Sequence, residues 1–111
     1  MPELPLEIDV QSTAELRARQ EPFLLLDVRN PDEFATAKIA DSVLIPMNEL
    51  SQRLGELEPY RNQRIIVHCH HGGRSMRVTM FLKQQGFTQV QNLAGGIDAW
   101  SQLVDSSVPR Y

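Results

Sequence analysis

The amino-acid sequence predicts an α/β fold in which a five-stranded parallel sheet is flanked by helices on both faces. Three observations carry this reading. Short strand-like runs alternate with helix-patterned segments along the chain, an order that right-handed crossovers turn into a parallel sheet. Residues 23–28 are apolar almost without a break, as in a central strand covered on both sides rather than one with a wet face. A second β-branched run ends at Cys69, and Gly72, Gly73 and a helical pattern follow at once. That puts a strand, a tight loop and a helix at the carboxyl edge of the sheet, where open sheets of this kind bind ligands.

The elements follow in order. The proline-rich lead over residues 1–6 should be extended, and residues 7–10 alternate as an edge strand does. Ser12 and Glu15 fit a capping box, opening a short helix that reaches about Arg19. After the strand at 23–28, Asn30 and Pro31 make a turn, and a short helix over 31–35 starts with Pro31 at its first position and acids in its first turn. Residues 42–45 form the third strand, closed by Pro46. Asn48 can cap a helix over 49–57, in which Leu50, Leu54 and Leu57 recur at helical spacing. The fourth strand, 65–68, leads through the loop to a helix over 74–85, with Val78, Phe81 and Leu82 on its apolar face and Gly86 at the C′ position. A fifth strand over 88–93, a turn at Gly95 and Gly96, and a last helix over 97–103 complete the pattern, with Ile97, Trp100 and Val104 directed to the core.

The bulk properties bound the function. With 111 residues, no repeat and no shift in composition, the chain reads as one domain over 1–111 with its core over about 7–108. A formal net charge of −3 leaves no basic stripe for a nucleic-acid backbone, so no nucleic-acid partner is expected. A lone cysteine cannot form an internal disulfide, which favours a reducing compartment, with the cytoplasm as the expected location. The first residues lack the basic and apolar regions of a signal peptide. No segment approaches the roughly 18 apolar residues that span a bilayer, so no membrane partner is expected.

Cys69 is the residue on which the chemistry turns. The glycines let successive backbone N–H groups curl inward, and the following helix aims its positive end at the same place. The thiolate is thereby favoured over the thiol, and the sulfur becomes nucleophilic. His70, His71, Gly72, Gly73, Arg74 and Ser75 would form the anion cradle: main-chain donors from 70 to 75, a full charge from Arg74, and two imidazoles at the mouth whose partial protonation would draw an anionic donor. Asp27, at the end of a buried strand, needs a partner such as Arg29, and the pair would brace the loop.

Three stretches, in this order and spacing, resemble the rhodanese-like sulfurtransferases over about residues 7–108. They are Asp27-Val-Arg29 with the residues that follow, Cys69-His-His-Gly72-Gly-Arg74-Ser75, and Gly95-Gly96-Ile-Asp-Ala-Trp100. The resemblance implies a five-stranded parallel sheet and a cysteine that carries sulfane sulfur as a persulfide. Sulfur would pass from thiosulfate or a persulfide donor to a thiol or cyanide acceptor, with a sulfur-carrier protein as a possible partner and no cofactor. Two departures from the family pattern bear on this. Glu33 stands where some members, including two-domain enzymes active on thiosulfate, carry a basic residue. Residues 37–42 lack both glycines and the histidine of the usual Gly-His-Ile-x-Gly-Ala, which should alter the turn locally without loss of the fold.

Other readings compete. A sulfur-relay or protein-interaction module would use the same loop with little turnover of small molecules. Phosphatase or arsenate reductase chemistry is disfavoured, because only four residues separate Cys69 from Arg74 where a phosphate-enclosing ring uses five. The run from His68 to His71 offers metal-ligand types, yet adjacent residues do not easily turn inward together, and no metal site is expected. Trp100 and the glycine pair read as packing features.

Overall fold

A computed structural model describes residues 4–111. Five parallel strands, β1 (Glu7–Ile8), β2 (Leu24–Asp27), β3 (Val43–Leu44), β4 (Arg64–His68) and β5 (Gln89–Leu93), form one sheet in the order β1-β5-β4-β2-β3. Four α-helices pack against it: α1 (Val10–Ala18), α2 (Pro31–Thr36), α3 (Gly73–Gln84) and α4 (Gly96–Leu103). The predicted α/β class is the observed one.

The alternation of side chains along β2 and β4 builds two apolar layers. Leu24, Leu26, Ile65 and Val67 face one side with Val78 and Leu82 of α3, and Cys69 belongs to this layer. Leu25 and Ile66 face the other side with Val10 and Leu16 of α1 and Ile97 and Trp100 of α4. All four residues of β2 are buried, as its unbroken apolar character requires.

Several boundaries differ from expectation. The part of the extended lead over residues 1–3 lies outside the described residues. Strand β1 stops at Ile8, because Asp9 caps α1: its carboxylate accepts from the Ser12 amide at 2.7 Å, so Asp9 and not Ser12 is the N-cap. The helix expected over 49–57 is instead two 3₁₀ segments, Met47–Glu49 and Leu54–Tyr60. Gly55 and Pro59 fall in this stretch. Both disfavour a continuous α-helix, and tighter i→i+3 bonds such as Glu56 N–H to Arg53 O at 3.0 Å replace it. In the altered 37–42 turn Asp41 takes φ +65°, a left-handed conformation that a short polar side chain tolerates better than most. Among the described residues no helix is long and apolar enough to cross a membrane.

Candidate active site

Strand β4 delivers Cys69 to the carboxyl edge of the sheet, and the chain turns back into α3 through Gly72, whose φ of +122° few side-chain-bearing residues could adopt. Three donors then converge on Cys69 Sγ: the Gly72 amide at 3.1 Å, the Ser75 amide at 3.4 Å and the Ser75 hydroxyl at 3.4 Å. Cys69 is only 2% exposed, so its sulfur is recessed. Burial pushes the Cys69 pKa up, but the Ser75 hydroxyl and amide and the Gly72 and Arg74 amides outweigh it and leave the thiol more acidic than usual. The His70, His71 and Gly73 amides are not among these donors, so the cradle expected over 70–75 narrows to Gly72, Arg74 and Ser75.

The loop carbonyls point the other way, and α4 receives them. The Ile97 amide donates to Cys69 O at 3.0 Å and the Asp98 amide to His70 O at 3.1 Å. A Cβ on Gly96 would lie 2.5 Å from both of these oxygens. The glycine pair read from sequence as a packing turn therefore also seats the cysteine loop on the start of the last helix.

The Arg74 side chain does not stand free beside the sulfur. Its guanidinium makes two bonds to the Glu33 carboxylate, at 2.7 and 3.0 Å. This pairing, against some opposition from burial, holds the Glu33 pKa down at about 2. The acid that departs from the family pattern thus consumes much of the positive charge expected at the site.

The histidines also differ from expectation. The His70 ring is stacked between His71, with centroids 4.0 Å apart, and Tyr111, at 3.9 Å. Burial lowers its pKa, with the neighbouring His71 charge acting in the same sense and Asp98 and Glu33 opposing, so protonation of His70 is disfavoured relative to a free imidazole. His71 is exposed, 3.9 Å from Asp98. Ligand atoms of His70, His71 and Asp98 lie within 4.8 Å of one another. The Asp98 carboxylate, however, already binds Arg110 at 3.0 Å and Gln102 at 2.8 Å.

Asp27 and Arg29 form the expected pair, fully buried, with Arg29 Nε 3.0 Å and Nη2 2.7 Å from carboxylate oxygens. Arg29 also donates to Ala37 O at 2.6 Å and to the Tyr111 hydroxyl at 2.8 Å. Neither residue bonds to the cysteine loop. They pin the ends of β2 and α2, and their link to β4 runs through His68, which sits opposite Asp27 in the sheet. The His68 Nε2 is 3.7 Å from Asp27 Oδ2 and has no hydrogen-bond partner among the described residues. Burial holds the His68 pKa down at about 4, against the pull of Asp27.

Two participants escaped the sequence reading. Tyr111 donates to Glu33 Oε2 at 2.8 Å while accepting from Arg29, so a residue remote in sequence from both joins the Asp27–Arg29 and Glu33–Arg74 pairs. Asn92, on β5, accepts from the Ser75 hydroxyl at 2.5 Å. The position of Asn92 just before the glycine turn was its only available signal.

Known proteins resemble the chain throughout this framework. The family described as Rhodanese-like domain matches residues 10–103. A sulfurtransferase of Allochromatium vinosum is 38% identical over 96 residues, covering 86% of this chain and 88% of that protein. The Adenylyltransferase and sulfurtransferase MOCS3-1 of Zea mays is 36% identical over 96 residues, which cover 82% of this chain but only 20% of that longer protein. Among solved structures, a rhodanese-related protein from Thermoplasma volcanium superposes with a TM-score of 0.75 at 34% identity, covering 88% of this chain and 92% of that one. With its strand order, recessed cysteine and glycine-seated loop, the chain belongs to the rhodanese-like domain family of sulfurtransferases.

Proposed function

We propose that the chain moves sulfane sulfur through a persulfide on Cys69. The observation that carries this reading is the convergence of neutral donors from Gly72 and Ser75 on a recessed sulfur. The Cys69 thiolate attacks the outer sulfur of thiosulfate or of a persulfide. The donor S–S bond breaks, and sulfite or a thiolate leaves with the electron pair. A thiolate or cyanide acceptor then attacks the terminal sulfur of Cys69–S–S⁻ and leaves with it, which returns the Cys69 thiolate. No cofactor takes part. Gly72, Arg74 and Ser75 cradle the charge, His70 and His71 shape the mouth, Gly73 starts the helix, and Asp27 with Arg29 supports the strand ends beneath.

Between donors, the pairing of Arg74 with Glu33 favours a persulfide over thiosulfate, because a dianion finds less uncompensated positive charge here than a free arginine would offer. The same pairing disfavours phosphatase or arsenate chemistry, which needs a guanidinium free to clamp an oxyanion. A relay role is a second reading, in which a sulfur-carrier or other protein docks over the loop. It is supported by the resemblance to a segment of a longer protein named as adenylyltransferase and sulfurtransferase. The reading places the chain in the reducing cytoplasm, without nucleic acid or membrane partners.

Incubation with a persulfide or thiosulfate should add about 32 Da to the intact protein, and Cys69→Ser should abolish both the adduct and transfer while leaving the fold intact. An adduct that persists in Cys69→Ser would sink the proposal. Comparable high rates with free thiosulfate and cyanide and with a persulfidated protein donor would remove the relay reading.

A further inference from the structure

The Ser75 hydroxyl has one proton and three acceptors within reach: Cys69 Sγ at 3.4 Å, Gly72 O at 3.2 Å and Asn92 Oδ1 at 2.5 Å. Asn92 is almost completely buried, and its orientation is fixed from the far side. Its amide nitrogen donates to Glu7 Oε2 at 3.0 Å, across the β1–β5 pairing, and lies 3.4 Å from Gly72 O. Two oxygens therefore hold the NH₂ end away from Ser75, and only the carbonyl end can face the hydroxyl. The sulfur and the Asn92 oxygen compete for the same hydrogen.

We propose that Asn92 is a positioning residue for Cys69: its carbonyl holds the Ser75 hydrogen while the sulfur is uncharged and releases it to the sulfur when the thiolate forms. No proton crosses between heavy atoms in this exchange. The thiol proton leaves to solvent, and the hydroxyl turns about its C–O bond. In the persulfide the charge moves to a terminal sulfur about 2 Å further along the S–S bond, and the hydrogen returns to Asn92. The Ser75 donor is thus committed in one state of the cycle and withdrawn in the other, whereas the Gly72 and Ser75 amides are fixed in both.

The charges that bear on the sulfur are the same with or without this exchange. Arg74 of α3 is paired with Glu33 of α2, Glu7 of β1 reaches the sulfur through Asn92, His68 and the Asp27–Arg29 pair lie at the neighbouring strand ends, and His71 and Asp98 lie at the loop and α4.

The inference rests on Cys69 being the reactive sulfur, but its test needs no sulfur donor. Cys69 is the only cysteine, so the ultraviolet absorbance of thiolate, taken as the difference from Cys69→Ser so that the two tyrosines cancel, reports this residue alone. Titration of Asn92→Ala should place the midpoint about half to one pH unit below that of the native chain, because the hydrogen no longer has a competitor. Ser75→Ala should raise the midpoint by a similar amount. In the Ser75→Ala background, Asn92→Ala should change nothing, an outcome that a general packing effect would not produce. The surface variant Glu7→Ala, which loosens the hold on the Asn92 amide, should lower the midpoint by less, again only while Ser75 is present. A rise in the midpoint on Asn92→Ala, or an equal shift with and without Ser75, overturns the inference. Failure to form the sulfur adduct, with these titrations behaving as stated, would overturn the transfer reading instead.

Discussion

Two neighbouring strand ends hold a buried acidic group in opposite ways. At the end of β2 the Asp27 carboxylate receives a full cation, Arg29, in a sealed and multiply bonded pair. Just past the end of β4 the Cys69 sulfur receives amide and hydroxyl donors, while the Arg74 guanidinium of the same loop and helix start is turned to Glu33. A carboxylate sealed against a full cation has a permanent counter-charge, and the result is inert. A sulfur that must be thiol, thiolate and, on the proposed function, persulfide is better served by dipoles. Dipoles stabilise charge when it appears and leave no uncompensated ion when it does not. One region is built for stability and the other, on the proposed function, for reactivity.

The largest expected effect is on the first region. Arg29→Ala leaves the Asp27 carboxylate buried without its cation and should cost about 3–5 kcal/mol in urea unfolding. A loss below about 1 kcal/mol would break the contrast. The second test uses His68, which links the two regions. Its folded pKa of about 4 lies below the ordinary 6.5, so the neutral form is the one the fold favours. The associated stability is present above about pH 6.5 and is lost as the pH falls toward 4, with an upper bound of about 3 kcal/mol. Urea midpoints of the native chain and of His68→Phe, compared between pH 7 and 4.5, should converge as the pH falls. The smallest effect belongs to Arg74→Ala. The part-exposed Arg74–Glu33 pair should contribute no more than about 1 kcal/mol, and the Cys69 titration midpoint should rise by less than in Ser75→Ala. A larger rise would mean that the side-chain charge, and not the amides, holds the thiolate.

The cysteine loop was legible in the sequence because each of its determinants is local: a β-branched run, one cysteine, two glycines and a helix start within a dozen residues. The burial of β2 was legible for the same reason. What sequence reading missed is set by distance along the chain. Tyr111 reaches Arg29 across 82 positions, and Asn92 reaches Ser75 across 17, so neither bond leaves a spacing to recognise. Misplaced boundaries came from rival local signals. Asp9 and Ser12 are both able caps, and the leucine spacing over 50–57 argued for a helix that Gly55 and Pro59 convert into tighter turns. Glu33 was recognised as a departure, but its effect on Arg74 depended on the first turns of α2 and α3 meeting.

The seating of Cys69 O and His70 O on the first amides of α4 has one more consequence. A peptide unit has two opposite ends, and anchoring the oxygen end on one side settles which end the other side presents. By tethering these oxygens outward, the final helix keeps the bend from rolling over and showing the sulfur a repelling lone pair. The electrical polarity of this corner is therefore set once, during folding, by a segment nearly thirty residues downstream in the chain.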